Sequence, residues 1–124
     1  MIFLDTHAIA WLHDFGTKRF RPSVLTLMRE SELFYSPISL VELKFMEEKG
    51  RLGDSPAYIV NELKRGTGLK SSENNFSDII AEAMKISWTR DPFDLLIVAE
   101  CMITNAHLVT RDHLIRKNYE NAIW

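Results

Sequence analysis

Two aspartates, Asp91 and Asp94, stand three residues apart in "RDPFD", directly before the apolar run "LLIVAECMI". Asp5 closes "IFLD", Asp112 comes just after "HLVT", and Glu42 lies in "ISLVELKF". Like charges gathered beside buried segments repel one another unless a cation sits among them. Carboxylate oxygens select a hard divalent ion, so the chemistry on offer is Mg²⁺ or Mn²⁺ binding by Asp5, Glu42, Asp94 and Asp112. An ion so held can grip a phosphate and activate a water for attack on phosphorus.

Each acid also has a plainer reading. "SLVE" and "DPFD" fit a capping pattern, in which Ser39 or Asp91 caps a helix and the acid three residues later folds back onto the cap. Asp5 with Thr6 can cap a first helix, and Asp112 can open a turn. Asp91 itself is read as a cap. Thr6, Ser39 and Thr110 are short hydroxyls beside the acids, suited either to orient a carboxylate or a metal-bound water or to cap an element. His7 follows Asp5 by two residues and is read as structural. Trp11, Trp88 and Trp124 are read as core or interface anchors.

The elements that must position these residues are short. "IFL" is a strand over 2–4, followed by helices from Thr6 to Asp14 and from Pro22 to Ser31, and a strand over 33–36. A helix from Ser39 to Lys49 stops at Gly50, and another runs from Pro56 to Arg65. Residues 66–75 form a loop with a short strand around Leu69; helices cover 76–87 and start again at Pro92. "HLVT" is a strand, 112–118 a turn of helix, and 122–124 a last edge strand. Strands so widely separated are joined by helical crossovers, which predicts a three-layer α/β domain over residues 1–124 with its ligand site at the strands' carboxyl ends. Asp5 and Asp112 fall on that edge, and Glu42 and Asp94 are placed in the first turns of helices that begin there.

Composition excludes some classes. The chain has 124 residues, 46% apolar and 26% charged, with a net charge of −2 from 15 basic and 17 acidic residues. That balance argues against nucleic-acid binding through bulk positive charge. Setting four site acids aside leaves a slight positive excess elsewhere. One cysteine, Cys101, sits in the apolar run, and "MIFLD" opens without a basic flank or long apolar stretch. The expectation is a reducing cytoplasm, with no signal peptide and no membrane span.

The segments "LDTHAIAWL", "SPISLVELKFMEEKGRL", "WTRDPFDLLIVAECMITNAHLVTRDHLI" and "YENAIW" together resemble the PIN-domain family, specifically VapC-type toxins of bacterial toxin–antitoxin pairs. The resemblance spans nearly the whole chain. It implies an α/β/α PIN-like fold around a short-stranded, mainly parallel sheet, and a metal-dependent endoribonuclease using one or two Mg²⁺ or Mn²⁺ ions. Asp5, Glu42, Asp94 and Asp112 match the family's catalytic and metal-binding acids. It further implies an RNA substrate, a small antitoxin that shields the site, and a homodimer.

Of the nearby cations Lys44, Lys49, Arg51, Arg90, Arg111, Arg116 and Lys117, Arg90 and Arg111 are the best candidates for RNA contact, since each adjoins a ligand position in sequence. Leu40, Leu43, Phe45, Met46, Tyr58 and Ile59 are the expected partner surface. Two alternatives stand: an RNA- or partner-binding module with little catalysis, and a Mg²⁺-dependent phosphoacceptor domain. The latter needs paired acids after the first strand, where "LDTH" supplies one.

Overall fold

The computed structural model describes residues 1–124. Five strands, β1 (Ile2–Leu4), β2 (Leu33–Tyr35), β3 (Lys70–Ser71), β4 (His107–Val109) and β5 (Ala122–Ile123), form one sheet in the order β3-β2-β1-β4-β5. Every pairing is parallel, so the expected mainly parallel sheet is wholly so. The chain builds outward from β1 to β2 and β3, then crosses back to lay β4 on the other side of β1. The order therefore reverses between β1 and β4, and the crevice outside their carboxyl ends is where such sheets bind ligands.

Seven helices cover the sheet: α1 (Thr6–Phe15), α2 (Pro22–Arg29), α3 (Ile38–Glu48), α4 (Pro56–Thr67), α5 (Phe76–Ala83), α6 (Pro92–Thr104) and α7 (His113–Asn118). Alternation along β1 divides the core. Ile2 and Leu4 pack with residues of α1, α2, α3 and α4, whereas Phe3 packs with Ile97, Val98 and Cys101 of α6 and with Ile115 of α7. Ile79 and Ala83 fix α5 to Ala99 of α6. Helix α3 reaches α1, α4 and α6, bridging the two layers at one side. No helix is long and apolar enough to cross a membrane.

Local chemistry sets the helix starts. Asp5, Ser55, Asn75, Asp91 and Asp112 cap α1, α4, α5, α6 and α7 by accepting backbone N–H bonds. Helix α3 departs from expectation. Pro37 occupies its N-cap in helical geometry, φ −52° and ψ −29°, with no side-chain cap bond. The proline's fixed φ starts the helix before Ser39, so Ser39 does not cap and Glu42 lies in the second turn rather than the first. Gly50 follows the end of α3 at φ +72°, the left-handed conformation its lack of Cβ makes cheap. Helix α5 ends at Ala83, short of residue 87, and α4 runs on to Thr67 before Gly68 closes it at φ +75°. The proposed partner surface shrinks: Leu43 and Ile59 are core, Leu40 and Met46 are partly covered, and only Phe45 and Tyr58 stand exposed.

Candidate metal centre

Asp5 leaves β1 directly into α1, and one carboxyl oxygen accepts the Ala8 N–H at 2.7 Å. Only 8% of it is exposed. Burial pushes its pKa up to about 6, opposed by the Thr110 hydroxyl, the Ala8 amide and the charge of His7, and reinforced by Glu42. Asp112 follows β4 as the cap of α7; its Oδ1 accepts Ile115 N–H at 2.9 Å, and its own N–H donates to Thr110 Oγ1 at 3.1 Å. Thr110 thus stands between the two strand-end acids, fully buried.

In "RDPFD" the two aspartates divide their work. Asp91 Oδ1 accepts the N–H groups of Phe93 and Asp94 at 2.9 and 3.1 Å, so it is the cap. Asp94 does not fold back to close a capping box, because the Asp91 N–H donates to Thr89 Oγ1 at 3.2 Å. The Asp94 carboxyl, half-buried, has its pKa pushed up to about 7, first by burial and then by Asp91, Asp112, Glu42 and Asp5 in turn. Four parts of the chain thus converge electrostatically on one carboxyl group. The side chains still stand apart, and no three His, Cys, Asp or Glu are drawn together closely enough to hold an ion as they are.

Two buried hydroxyls bear on whether a cation fits. Thr6 Oγ1 and Ser39 Oγ have no hydrogen-bond partner, although Thr6 is 1% exposed and Ser39 is fully buried. Neither acts as a cap. An unpaired buried hydroxyl costs about 1–3 kcal/mol; one adjoins Asp5, and the other lies one helical turn before Glu42. Four carboxylates and two orphan hydroxyls are the donor chemistry of a hard, hydrated dication.

The profile of the PIN domain family matches residues 2–121. The chain belongs to the PIN domain family. Among solved structures, it is similar to the crystal structure of VapBC2 from Rickettsia felis bound to a DNA fragment from their promoter. The TM-score is 0.67 at 18% identity, covering 99% of this chain and 96% of that one. No curated protein matches the sequence. At that identity the likeness shows the shared fold.

Around the acids of this PIN domain, the cations differ in freedom. Arg90 and Arg111 are exposed and in no ion pair. Lys44 lies 3.8 Å from Glu48, and Arg116 meets His113 at 3.0 Å. Lys49, Arg51 and Lys117 are exposed. The Arg111 guanidinium lies over Trp11 and Trp124, 5.4 and 5.7 Å from their ring centroids, while those rings meet edge to face at 5.5 Å. Trp11 and Trp124 are anchors, as the sequence suggests, and what they anchor includes a cation beside Asp112. Trp88 packs against the α6 side of the core. His7 is exposed beside Trp11, near enough for its charge to act on Asp5.

The largest cavity, about 730 Å³, lies at β3 against α4 and touches none of the four acids. One residue escaped the sequence reading. Glu100, in the middle of "LLIVAECMI", is fully buried; its Oε1 accepts from Ser72 Oγ and from Asn74 Nδ2 at 3.0 Å, while Oε2 has no partner. The signal was an acid within an otherwise apolar run.

Proposed function

We propose that this PIN domain, as one unit over residues 1–124, is a metal-dependent endoribonuclease of the VapC toxin type, restrained by a cognate antitoxin in the cytoplasm. The observation that carries the proposal is that Asp5 and Asp112 follow β1 and β4 at the switch point in strand order, while Asp94, its pKa pushed up to about 7 first by burial, also feels the charges of Asp91, Asp112, Glu42 and Asp5. Asp5, Glu42, Asp94 and Asp112 would hold one or two Mg²⁺ or Mn²⁺ ions, with Thr6, Ser39 and Thr110 steadying carboxylates and waters. When bound, the dication supplies Lewis acidity toward a phosphate oxygen and a water, and offsets the carboxylates' repulsion.

The chain supplies position. The α1 cap bond to Ala8 and the Thr110 hydroxyl fix Asp5, the α7 cap bond fixes Asp112, and Asp91 takes the α6 cap so that Asp94 remains free. Arg111, held over its two tryptophans, and Arg90 would grip phosphates on either side of the cut. A water oxygen then bonds to phosphorus as the bond to the 3′ oxygen breaks and that oxygen takes the proton. The products are a 5′ phosphate and a 3′ hydroxyl.

Two further parts rest on the likeness to VapBC2 and on exposed apolar surface. Phe45 of α3 and Tyr58 of α4, 44% and 49% exposed, would receive part of an antitoxin. Ile80 of α5 and Met84 at its C-cap, both exposed, would pair with a second copy. A second reading, RNA binding without cleavage, is favoured by the separation of the carboxylates. Incubating RNA with the protein in chelator, and then with excess Mg²⁺ or Mn²⁺, and sequencing the cut ends decides between them. The nuclease leaves a few defined cuts bearing 5′ phosphates, only with metal. Full cleavage in chelator sinks the metal mechanism, and binding with intact RNA under both conditions establishes the second reading.

A further inference from the structure

A cavity of about 360 Å³ is lined among others by Ser36, Ile38, Val41, Asn74, Phe76 and Glu100. Ser36 follows β2 and Asn74 follows β3, so the cavity lies at the carboxyl edge of the sheet, like the four acids. Glu100 and Asp94 share α6, six residues apart, or about 9 Å along a helix rising 1.5 Å per residue.

The lining has two characters. Ile38 and Val41 give an apolar wall from α3, and Phe76, 67% exposed, stands at the mouth from α5. Glu100 is the fully buried floor. Its Oε1 is engaged by Ser72 and Asn74, which holds the side chain in place, while Oε2 accepts nothing. A buried acceptor left unpaired is costly, and one held rigidly at the bottom of a slot selects a group that donates.

We propose that this cavity is a nucleobase subsite next to the scissile phosphate, in which Glu100 Oε2 accepts an N–H from the amino group of adenine, cytosine or guanine. The inference rests on the ribonuclease reading for its substrate class. An apolar wall and an aromatic ring suit a flat base, which can stack against them. The volume lies at the lower end of ligand pockets, as a single base requires. Uracil presents carbonyl oxygens where the amino group would lie, and so sets acceptor against acceptor. Glu100 is then a specificity-determining residue.

Glu100→Gln reverses the donor sense of the floor while keeping its shape. Ser72 and Asn74 both donate to Oε1, so the new amide oxygen takes that place and its NH₂ group turns to the cavity. The test uses RNA oligonucleotides varied to A, C, G or U at each position flanking a mapped cut, with both cleavage and binding to a chelated Asp94→Asn background measured. At one position the parent favours amino-bearing bases over uracil by about tenfold or more, as sites built around a hydrogen bond do. Glu100→Gln abolishes or inverts that preference. Phe76→Ala, at an exposed position, lowers affinity for every base there and serves if the Glu100 variant does not fold.

Identical base profiles in parent and Glu100→Gln, with cleavage intact, overturn the subsite and leave the nuclease standing. A base preference in binding that inverts in Glu100→Gln, without any cleavage, keeps the subsite and removes the nuclease. Absence of both binding and cleavage overturns both. If Glu100→Gln changes only self-association, the cavity receives a protein side chain and the proposal falls.

Discussion

Asp94 and Asp91 are neighbours of one residue type with opposite expected responses. The ordinary Asp pKa of 3.8 is raised to about 7 at Asp94 and to about 6 at Asp5, so the folded protein binds protons more tightly than the unfolded chain between those values. Their contribution to stability is therefore complete below about pH 4 and is lost as pH rises through 6 and 7. Melting temperature in chelator should fall across that window. Asp94→Asn should raise it near neutral pH and flatten its slope, whereas excess Mg²⁺ at a hundredfold its Kd should stabilise the parent by about 2.7 kcal/mol and the variant far less. Asp91→Ala should instead cost about 1 kcal/mol with or without metal, because it removes a cap. Melting curves of all three proteins, in chelator and in Mg²⁺ at pH 5 and 7.5, check this. An Asp94→Asn protein less stable than the parent in chelator would show that its charge is not opposed by its neighbours. The acid types were legible in the sequence because each adjoins a short apolar segment. Glu100 was not, since its partners Ser72 and Asn74 lie 28 and 26 residues away.

Helices capped by Asp, Asn or Ser before Pro or an apolar stretch could be read directly, as at Ser55 and Pro56 or at Asp91 and Pro92. Helix α3 could not, because Pro37 had already set the backbone before the expected cap at Ser39, and Glu42 moved a turn inward. The two-residue strands β3 and β5 carry too few side chains for periodicity to locate them; pairing with β2 and β4 defines them. Residues 122–124 nevertheless matter beyond their length. Trp124 sits against Trp11, against Phe20 at 5.1 Å, and under Arg111. Trp124→Ala should cost about 2 kcal/mol, below the range for a fully buried aromatic, since this ring is partly exposed. It should also free Arg111, lowering RNA affinity in the Asp94→Asn background. Urea unfolding and filter binding measure the two effects, and unchanged binding beside a clear stability loss would leave Arg111 without a role at the phosphates.

The molecule as a whole leaves one apolar stripe uncovered. Helix α5 packs on α6 through Ile79 and Ala83, which leaves Ile80 and the C-cap residue Met84, four residues apart, beside that contact in solvent. Met84 is 80% exposed, unusual for a large apolar side chain with no function to expose it. A two-fold axis beside α5 would bring the stripe against its own copy, where each Met84 lies close to its counterpart. Met84→Glu then places like charges across the axis and should convert a dimer to monomer, while the helical circular dichroism spectrum stays unchanged, because the side chain supports nothing within its own chain. Sedimentation at tens of micromolar protein distinguishes the forms. A parent that is already monomeric, or a Met84→Glu protein that remains dimeric, removes α5 as the pairing surface.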